Sequence, residues 1–408
     1  MGEIIRADIG ILGAGPVGGV LACRLAASGL RVAVIDHAPL PPMEHPAFDG
    51  RAYAIAAGSR ALMDAAGLWD ILPDPPSPIL DIRVTDGRVG RPASRLHLHF
   101  GTRELGEDAG PFGWMVEART LRRALNARLH ALEGIILRAP ARARVERTAE
   151  AATIHLDSGE AIETRLVIAA EGRRSPLREQ AGIPVTHLPY DQTGMVCAIA
   201  HELPHHGVAL EHFLPAGPFA ALPMGPSADA VPGGAEHVSA IVWTERSRMA
   251  DRIMALDEPR LGREIRRRLG DHLGEVRAVG RRWSYPLSAM IVHRCIDTRL
   301  ALAGDAAHGI HPIAGQGLNL GFQDAIALSS LLIEAAERGE DPGSAALLAR
   351  YQRLRRPDNL LMLGLTDALD RLFSNDSRLL RLARDVGIAA VHRTPPLKRF
   401  FMRRAMGV

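Results

Sequence analysis

Short uninterrupted apolar runs alternate with stretches of helical periodicity along the first third of the chain. Ala7 to Leu12 (ADIGIL) is such a run, glycines follow it, and apolar and small residues then recur at helical spacing from Val17 to Gly29. Leu30 to Asp36 (LRVAVID) is a second run, ending on an acid. A strand without a polar face must be covered on both sides, and strand, glycine turn, helix, strand is the βαβ unit of a parallel sheet. Arg51 to Leu68 is predicted helical, stopping near Gly67, and Leu72 to Pro78 (LPDPPSP) is a proline-rich break where the chain crosses between domains. Arg119 to Leu132 is predicted to be a basic amphipathic helix, and Leu166 to Ala170 (LVIAA) another buried strand. Between Pro184 and Pro286 the pattern changes to short strand-like runs, such as Gly194 to Ala200 and His237 to Thr244, separated by Pro/Gly loops. One helical stretch, around Met249 to Leu269, interrupts them. Leu300 to Gly304 is again a buried strand, and from Leu318 the chain reads as helix almost to its end.

This order predicts an α/β protein whose first domain is assembled from separated pieces, residues 1-73, 111-184 and 286-345, around a Rossmann-like βαβ core. A sheet-rich insert made of 74-110 and 185-285 lies between them, and 346-408 forms a helical C-terminal region. A length of 408 residues suits two or three domains, and 47% hydrophobic against 23% charged residues suits a globular protein with a sizeable core. The net charge of +3 conceals an asymmetry, because Arg350 to Val408 holds thirteen Arg or Lys against five Asp, an excess of eight, which leaves about 3 − 8 = −5 for the rest. Cys23, Cys197 and Cys295 are widely spaced and follow no metal-ligand pattern, so a reducing compartment is the simplest expectation. No charged-then-apolar leader precedes the first motif, and no run reaches the ~18 apolar residues that span a bilayer. A cytoplasmic protein is expected, peripheral at most on the inner face of the membrane.

Two segments carry chemistry. Gly13-Ala14-Gly15-Pro16-Val17-Gly18 fits G-x-G-x-x-G between a strand and a helix. Gly13 permits the tight turn, Gly15 lets the backbone approach a pyrophosphate, and Gly18 lets the helix pack on the strand. The helix start offers free N–H groups to phosphates, and Asp36, 23 residues after Gly13, ends the next strand where a carboxylate accepts ribose hydroxyls. At this point FAD and NAD are equally served. The second segment is Leu302 to Ala325 (LAGDAAHGIHPIAGQGLNLGFQDA). A buried strand delivers Gly304 and Asp305, which suits a sugar-like chain, and a loop with Pro312, Gly315 and Gly317 leads into a long helix. Its turn, Gly315, Gln316, Gly317, Leu318 and Asn319, presents backbone donors suited to a ring edge that gains negative charge on reduction. A helix cap alone needs one residue, not three glycines and a proline. His308 and His311 stand at i, i+3 with no Cys or carboxylate cluster to complete a metal site, so no metal is expected. His205 and His206 lie in a Pro/Gly loop and read as solvent-facing.

Together with Glu171-Gly172, these segments resemble the three fingerprints of the single-component flavoprotein aromatic hydroxylases. The nearest branch is that of the ubiquinone-biosynthesis hydroxylases, through Asp49 to Trp69 (DGRAYAIAAGSRALMDAAGLW) and Gly217 to Pro223 (GPFAALP), and the likeness runs from Asp8 to about Leu332. The resemblance implies a glutathione-reductase-like FAD-binding domain with an inserted substrate domain. It implies that Asp36 holds the adenosine ribose and Asp305 the ribityl chain, that Arg51 lies beside the flavin, and that Arg119 faces the cofactor. The middle fingerprint departs from the family's Asp-Gly, reading Glu171-Gly172-Arg173-Arg174-Ser175-Pro176-Leu177-Arg178. The acid is one methylene longer, and Arg173, Arg174 and Arg178 either guide the phosphates of NAD(P)H or are solvated surface residues.

The implied activity is hydroxylation of an aromatic ring by NAD(P)H and dioxygen through a flavin hydroperoxide, on a polyprenylated phenol intermediate of ubiquinone biosynthesis. The protein then supplies position and dryness rather than acid–base groups, and Pro312 on the flavin face is the one candidate for a catalytic position. Phe213, Phe219, Leu222, Met224 and Trp243, on strand-like segments of the insert, either line an apolar pocket for a prenylated ring or are ordinary core. Leu397 to Arg404 (LKRFFMRR) suits an anionic bilayer, or is a solvated helix end or a surface for other quinone-biosynthesis proteins. Two alternatives share the scaffold: a hydroxylase of small soluble aromatics or a reductase of isoprenoid double bonds. A third, of another class, is a non-catalytic flavin-bearing subunit of a biosynthetic complex. Nothing points to nucleic acid.

Overall fold

The computed structural model describes residues 4–40, 50–91, 97–106, 110–225, 236–311, 315–373 and 394–407. Its centre is a six-stranded sheet in the order Ile296–Asp297, Leu300–Leu302, Leu166–Ala169, Ile9–Leu12, Val32–Ile35, Ile135–Arg138. The four pairings after the first are parallel, as the fully apolar runs predict. Ile9, Ile11, Val32, Val34, Val167 and Ile168 are wholly buried because both faces are covered. Helices Pro16–Ala26, Ala118–Ala131 and Gln316–Glu337 pack together on one side, with Leu125 against Gly19 and Val17 against Gly321. A four-stranded sheet, ordered Ile5–Arg6, Ala161–Thr164, Ala152–Leu156, Ala143–Arg147, covers the other. It packs so closely that a Cβ on Gly10 would lie 2.5 Å from Ile154 Cδ1.

The remaining strands form two further sheets. A three-stranded antiparallel sheet orders Ala52–Ala56, Gly113–Glu117 and Ser77–Ile79. An eight-stranded sheet runs His308–Gly309, Val276–Val292, Val185–His201, His237–Arg246, Gly217–Met224, Val208–Leu214, Asp81–Asp86, Leu98–Gly101. Helices Ser247–Met254 and Glu258–Leu269 cover its outer face through Ala250, Ile253, Leu261 and Ile265. Its inner face, with Met224, Val238 and Ala240, meets the small sheet at Ala52, Ala54 and Met115.

Several expectations are corrected. Arg51 to Leu68 is not one helix: Ala52–Ala56 is a strand paired with Gly113–Glu117, and only Ala57–Ala65 is helical before Gly67, at φ +67°, ends the turn. Its alanines permit a helix, and pairing to a waiting edge overrides that weak propensity. Met249 to Leu269 is two helices, because Asp257 caps a new one by accepting from the Arg260 N–H, with Pro259 in its first turn. The C-terminal helix is likewise divided into Gln316–Glu337, Ala345–Phe373 and Pro395–Met406. The last of these docks inward: Met402 is buried beside Phe112 and Met224, and Lys398 Nζ reaches Glu104 at 2.6 and 2.8 Å. His206 is exposed, but His205 is half-buried, with Nε2 3.0 Å from the Met224 carbonyl oxygen and Nδ1 accepting from the Gly207 N–H. Among the described residues no helix is long and apolar enough to cross a membrane.

Candidate functional site

The glycine turn folds as its spacing requires. Gly13 adopts φ +101° and donates its N–H to the Ile35 carbonyl at 2.7 Å. It has no room for a Cβ, which would collide with the Ala170 carbonyl. Gly18 seats the helix on the strand, since a Cβ there would run into the Gly13 carbonyl oxygen. Gly15 is the opposite case, with nothing within 4 Å of a Cβ. Gly15 is also the N-cap and Pro16 the first helical residue, no side chain caps this end, and no acid lies in the first turn. The N–H donors of the uncapped helix start therefore face open space beside Gly15, which is what a phosphate needs.

Asp36 is 6% exposed at the end of the second strand. Its Oδ2 accepts from the Ala14 N–H at 2.7 Å and its Oδ1 from the Ala38 N–H at 2.9 Å. A carboxylate has about four lone-pair sites, so these two bonds fix its direction and leave capacity for hydroxyls. Arg122 Nη1 donates to the Ala14 carbonyl at 3.0 Å, holding the same turn from the neighbouring helix. The sequence gives Arg122 no signal beyond its place one turn after Arg119.

The second glycine turn is brought beside the first by small residues. A Cβ on Gly321 would lie 2.6 Å from Val17 Cγ2 and 3.3 Å from Gly304 Cα, so the helix Gln316–Glu337 packs closely on the Val17 side chain of Pro16–Ala26 and on the backbone of Gly304. Gly315, at φ +62°, is the N-cap of the longer helix, again without a side-chain cap, and Gly317 has open space around its Cβ position. Leu318 and Gln316 lie half-buried in the same first turn. Asn319 is committed to the protein: Oδ1 accepts from the Ala56 N–H at 2.9 Å and Ser59 Oγ at 3.0 Å, and Nδ2 donates to the Ala54 carbonyl at 2.8 Å. It fixes the strand Ala52–Ala56 against the turn. Pro312 lies outside the described residues.

Gly304 takes φ +60° and donates its N–H to Asp324 Oδ2 at 2.9 Å. Asp324, wholly buried in the helix, also takes His308 Nε2 at 2.6 Å and Arg355 Nε at 2.8 Å. Burial opposes its charge, yet His308 and Arg355 outweigh burial and hold the carboxyl below the usual aspartate range. His308 is thus a donor in a buried network that shapes the turn before Asp305. His311, also buried, has Nε2 3.1 Å from Gln192 Oε1 and 3.7 Å from Asp370. In the sequence Asp324 is a lone acid in an apolar helical run, and nothing local names its partners. Asp305 is exposed, with Arg173 Nε 3.4 Å away.

The middle segment departs from its expected roles. Glu171 Oε2 accepts from Ser175 Oγ at 2.6 Å and the Leu177 N–H at 3.1 Å, so the longer acid reaches forward to cap Pro176–Gln180. Arg178 is neither a phosphate guide nor a solvated residue: it is 4% exposed and donates to the Ala306 and Arg173 carbonyls at 3.0 and 2.8 Å. Arg173 donates to the Ser288 carbonyl and Oγ at 2.8 and 3.0 Å, and Arg174 is exposed. Arg51 lies with its guanidinium 4.2 Å over the Trp283 ring, at the meeting of the small and large sheets. Arg119 is 4% exposed with Nε 3.4 Å from Glu117 Oε1, so it is not a helix-surface arginine in water.

The five insert residues do not share one pocket. Strand side chains alternate faces, and Phe219 pairs in register with Trp243 while Leu222 and Met224 pair with Ala240 and Val238. Phe219 and Trp243, ring centroids 5.6 Å apart, belong to the outer core beneath the two helices. Leu222 and Met224 face inward, toward Ala54 and Met115. Phe213 shares the inner face at its far end, stacked on Phe373 at 4.1 Å. Phe219 and Trp243 are therefore withdrawn from any pocket on the flavin side.

Residues 6–362 match the family model described as FAD binding domain. The chain is similar to "Ubiquinone hydroxylase UbiL" of Rhodospirillum rubrum, 50% identical over 402 residues that cover 98% of this chain and 90% of that one. It is similar to "3-demethoxyubiquinol 3-hydroxylase" of Escherichia coli, 33% identical over 411 residues and 98% of each chain. Among solved structures, p-nitrophenol 4-monooxygenase PnpA of Pseudomonas putida superposes with a TM-score of 0.77 at 19% identity over 99% of both chains, which shows a common fold.

Proposed function

From the premise that this chain belongs to the FAD binding domain family and is an FAD-dependent monooxygenase, we propose that it hydroxylates the aromatic ring of a polyprenylated phenol intermediate in ubiquinone biosynthesis. The observation that carries the flavin part is the close packing of Gly304 and Gly321 on Val17, which supports two helix starts without side-chain caps serving one cofactor. The substrate rests on the likeness to ubiquinone hydroxylases along nearly the whole of both chains.

The residues fit FAD. Open space at Gly15 and the N–H groups of the uncapped first helix suit the pyrophosphate, with Gly13, Pro16 and Gly18 shaping the turn and Asp36 placed for ribose hydroxyls. Gly304 and Asp305 suit the ribityl chain, and the turn Gly315, Gln316, Gly317 and Leu318 suits the ring edge. The flavin-face role expected of Pro312 belongs to the same reading. The chemistry supplied by bound FAD is acceptance of a hydride from NAD(P)H and delivery of one atom of dioxygen to the ring. The chain orients and keeps dry: Asn319 and Asp324 fix the two turns, and Leu222 and Met224 present apolar side chains on the inner face. Arg51 and Arg119 belong to the proposal as cofactor-side residues. So does the division into an FAD-binding domain (1-73, 111-184, 286-345), a substrate domain and a helical C-terminal region, although the strand Val276–Val292 runs continuously across the junction.

Peripheral contact with an anionic membrane is a further part of this reading. With Lys398 engaged by Glu104, it rests on Arg399 and Arg403, which are exposed on the terminal helix. Co-sedimentation with anionic vesicles that is unchanged after removing residues 395–408 would refute that part. The main test is expression in hosts blocked at each ring-oxidation step of quinone synthesis. Relief of one block, with hydroxylated product accumulating, is expected; relief of none overturns the substrate assignment.

A further inference from the structure

A hollow lies on the other side of the eight-stranded sheet from the glycine turns. It measures about 1010 Å³ and its floor is sheet: Arg83, Leu210, His212 and Ala221. Registry puts these on the outer face, because Leu210 pairs with Ala221 and Arg83, and His212 with Phe219, whose ring lies in the outer core. The rim is the last turn of Glu258–Leu269, the turn that follows it, and the loops carrying Arg91 and His205.

Six arginines line this hollow against one carboxylate, Asp271. Three of them have evident structural work. Arg266 pairs with Asp271 and Glu275, Arg267 with Glu264, and Arg268 with Glu264 and Glu245 while lying 4.0 Å over Trp243. Cations in a last helical turn also suit the helix dipole. Arg83, Arg91 and Arg263 are exposed and have no such work: among the described residues none of their side chains makes a hydrogen bond or ion pair. Arg83 is the telling one, since it stands in the middle of a strand pair beside Leu210, on the face that lines the hollow.

We propose that this hollow is a second ligand site, taking a phosphate-bearing anion with an apolar body, separate from the flavin cleft. Arginines of floor and rim line one space, a charge that suits phosphate oxygens better than a single carboxylate. The apolar floor of Leu210 and Ala221 suits the attached body, and the volume is at the upper end for small-molecule sites. Burial pushes His205, His212 and His272 down, His212 to about 4, so these three imidazoles favour their neutral, hydrogen-bonding form. The sheet stands between this ligand and the flavin turns, so the ligand cannot hand a hydride to the flavin directly. Its effect would be on occupancy, attachment or rate.

The test uses the FAD-loaded full chain, with calorimetric titration of inorganic pyrophosphate and of ADP, and sedimentation with phosphatidylglycerol and phosphatidylcholine vesicles. Arg83→Ala with Arg263→Ala is the test variant and Arg144→Ala, an exposed arginine elsewhere, is the control. The visible flavin spectrum checks that each variant is folded. Saturable binding of at least one anionic probe is expected, weakened tenfold or more in the double variant and unchanged in the control. Loss confined to vesicles identifies a lipid headgroup, and loss confined to pyrophosphate or ADP a soluble ligand; either supports the site. No binding of any probe, or binding equally strong in the double variant, overturns it. Neither result touches the hydroxylation assay, so the two readings fail separately.

Discussion

Glu211 provides the sharpest energetic test of the inner sheet face. It lies between Ala209 and Phe213 on Val208–Leu214, is 8% exposed, and has burial as the only influence on its carboxyl, which is pushed up to about 7. An isolated buried carboxylate is disfavoured relative to its neutral form, and its ordinary value is 4.5. The folded value is raised, so the group's contribution is fully present below the unfolded value and is lost as pH rises toward and through the folded one. At about 1.4 kcal/mol per unit, the loss approaches roughly 3 kcal/mol above neutrality, most of it developing between about pH 5 and pH 8. Glu211→Leu removes the group while keeping an apolar face apolar. Urea unfolding of both proteins across that range should show the variant gaining on the wild type by roughly 2–3 kcal/mol toward alkaline pH. A difference that stays flat with pH would refute the reasoning, because it would mean that Glu211 finds a partner or water when ionised.

Three further outcomes follow from the geometry. Gly18→Ala drives a Cβ into the Gly13 carbonyl oxygen and should yield protein that purifies without yellow absorbance and does not take up added FAD, read by flavin fluorescence titration. Asp324→Ala strands the buried Arg355 and His308 and frees the Gly304 N–H; because Arg355 keeps Asp358 and Asn359, the loss should fall near the low end for a broken buried pair, about 3 kcal/mol by urea unfolding. The same variant should weaken FAD about tenfold or more, whereas unaltered FAD affinity would remove Asp324 from the account of the turn. Phe219→Ala should cost about 3–5 kcal/mol in stability with KM for the aromatic substrate little changed, while Leu222→Ala should raise KM at smaller cost to stability. The reverse pattern would restore Phe219 to the substrate side.

What is legible in the sequence is what local constraint decides. The turn at Gly13 needs a positive φ and two missing Cβ atoms, and those demands are written in the spacing itself. Fully apolar runs at Ile9, Val32 and Leu166 have to be central parallel strands. The segment 51–68 misleads because Ala-Tyr-Ala-Ile-Ala satisfies either period, and a partner about 60 residues away decides between them. Asp324 shows the same limit, since its three partners come from positions 304, 308 and 355.

The substrate wall is different, because there parity alone already divides the residues. Phe219 and Leu222 are three apart, and on one strand an odd separation puts two side chains on opposite faces whatever the fold. A pocket containing both is therefore excluded as soon as Gly217 to Pro223 is taken as a strand. Periodicity cannot say which of the two faces the flavin. That depends on which face the helices Ser247–Met254 and Glu258–Leu269 cover and which is left for Ala54 and Met115. Parity sorts residues into two sets, and packing alone assigns each set its neighbour. The wall proposed to meet the substrate is accordingly the set with Leu222 and Met224, and the bulky aromatic pair Phe219 and Trp243 serves the fold instead.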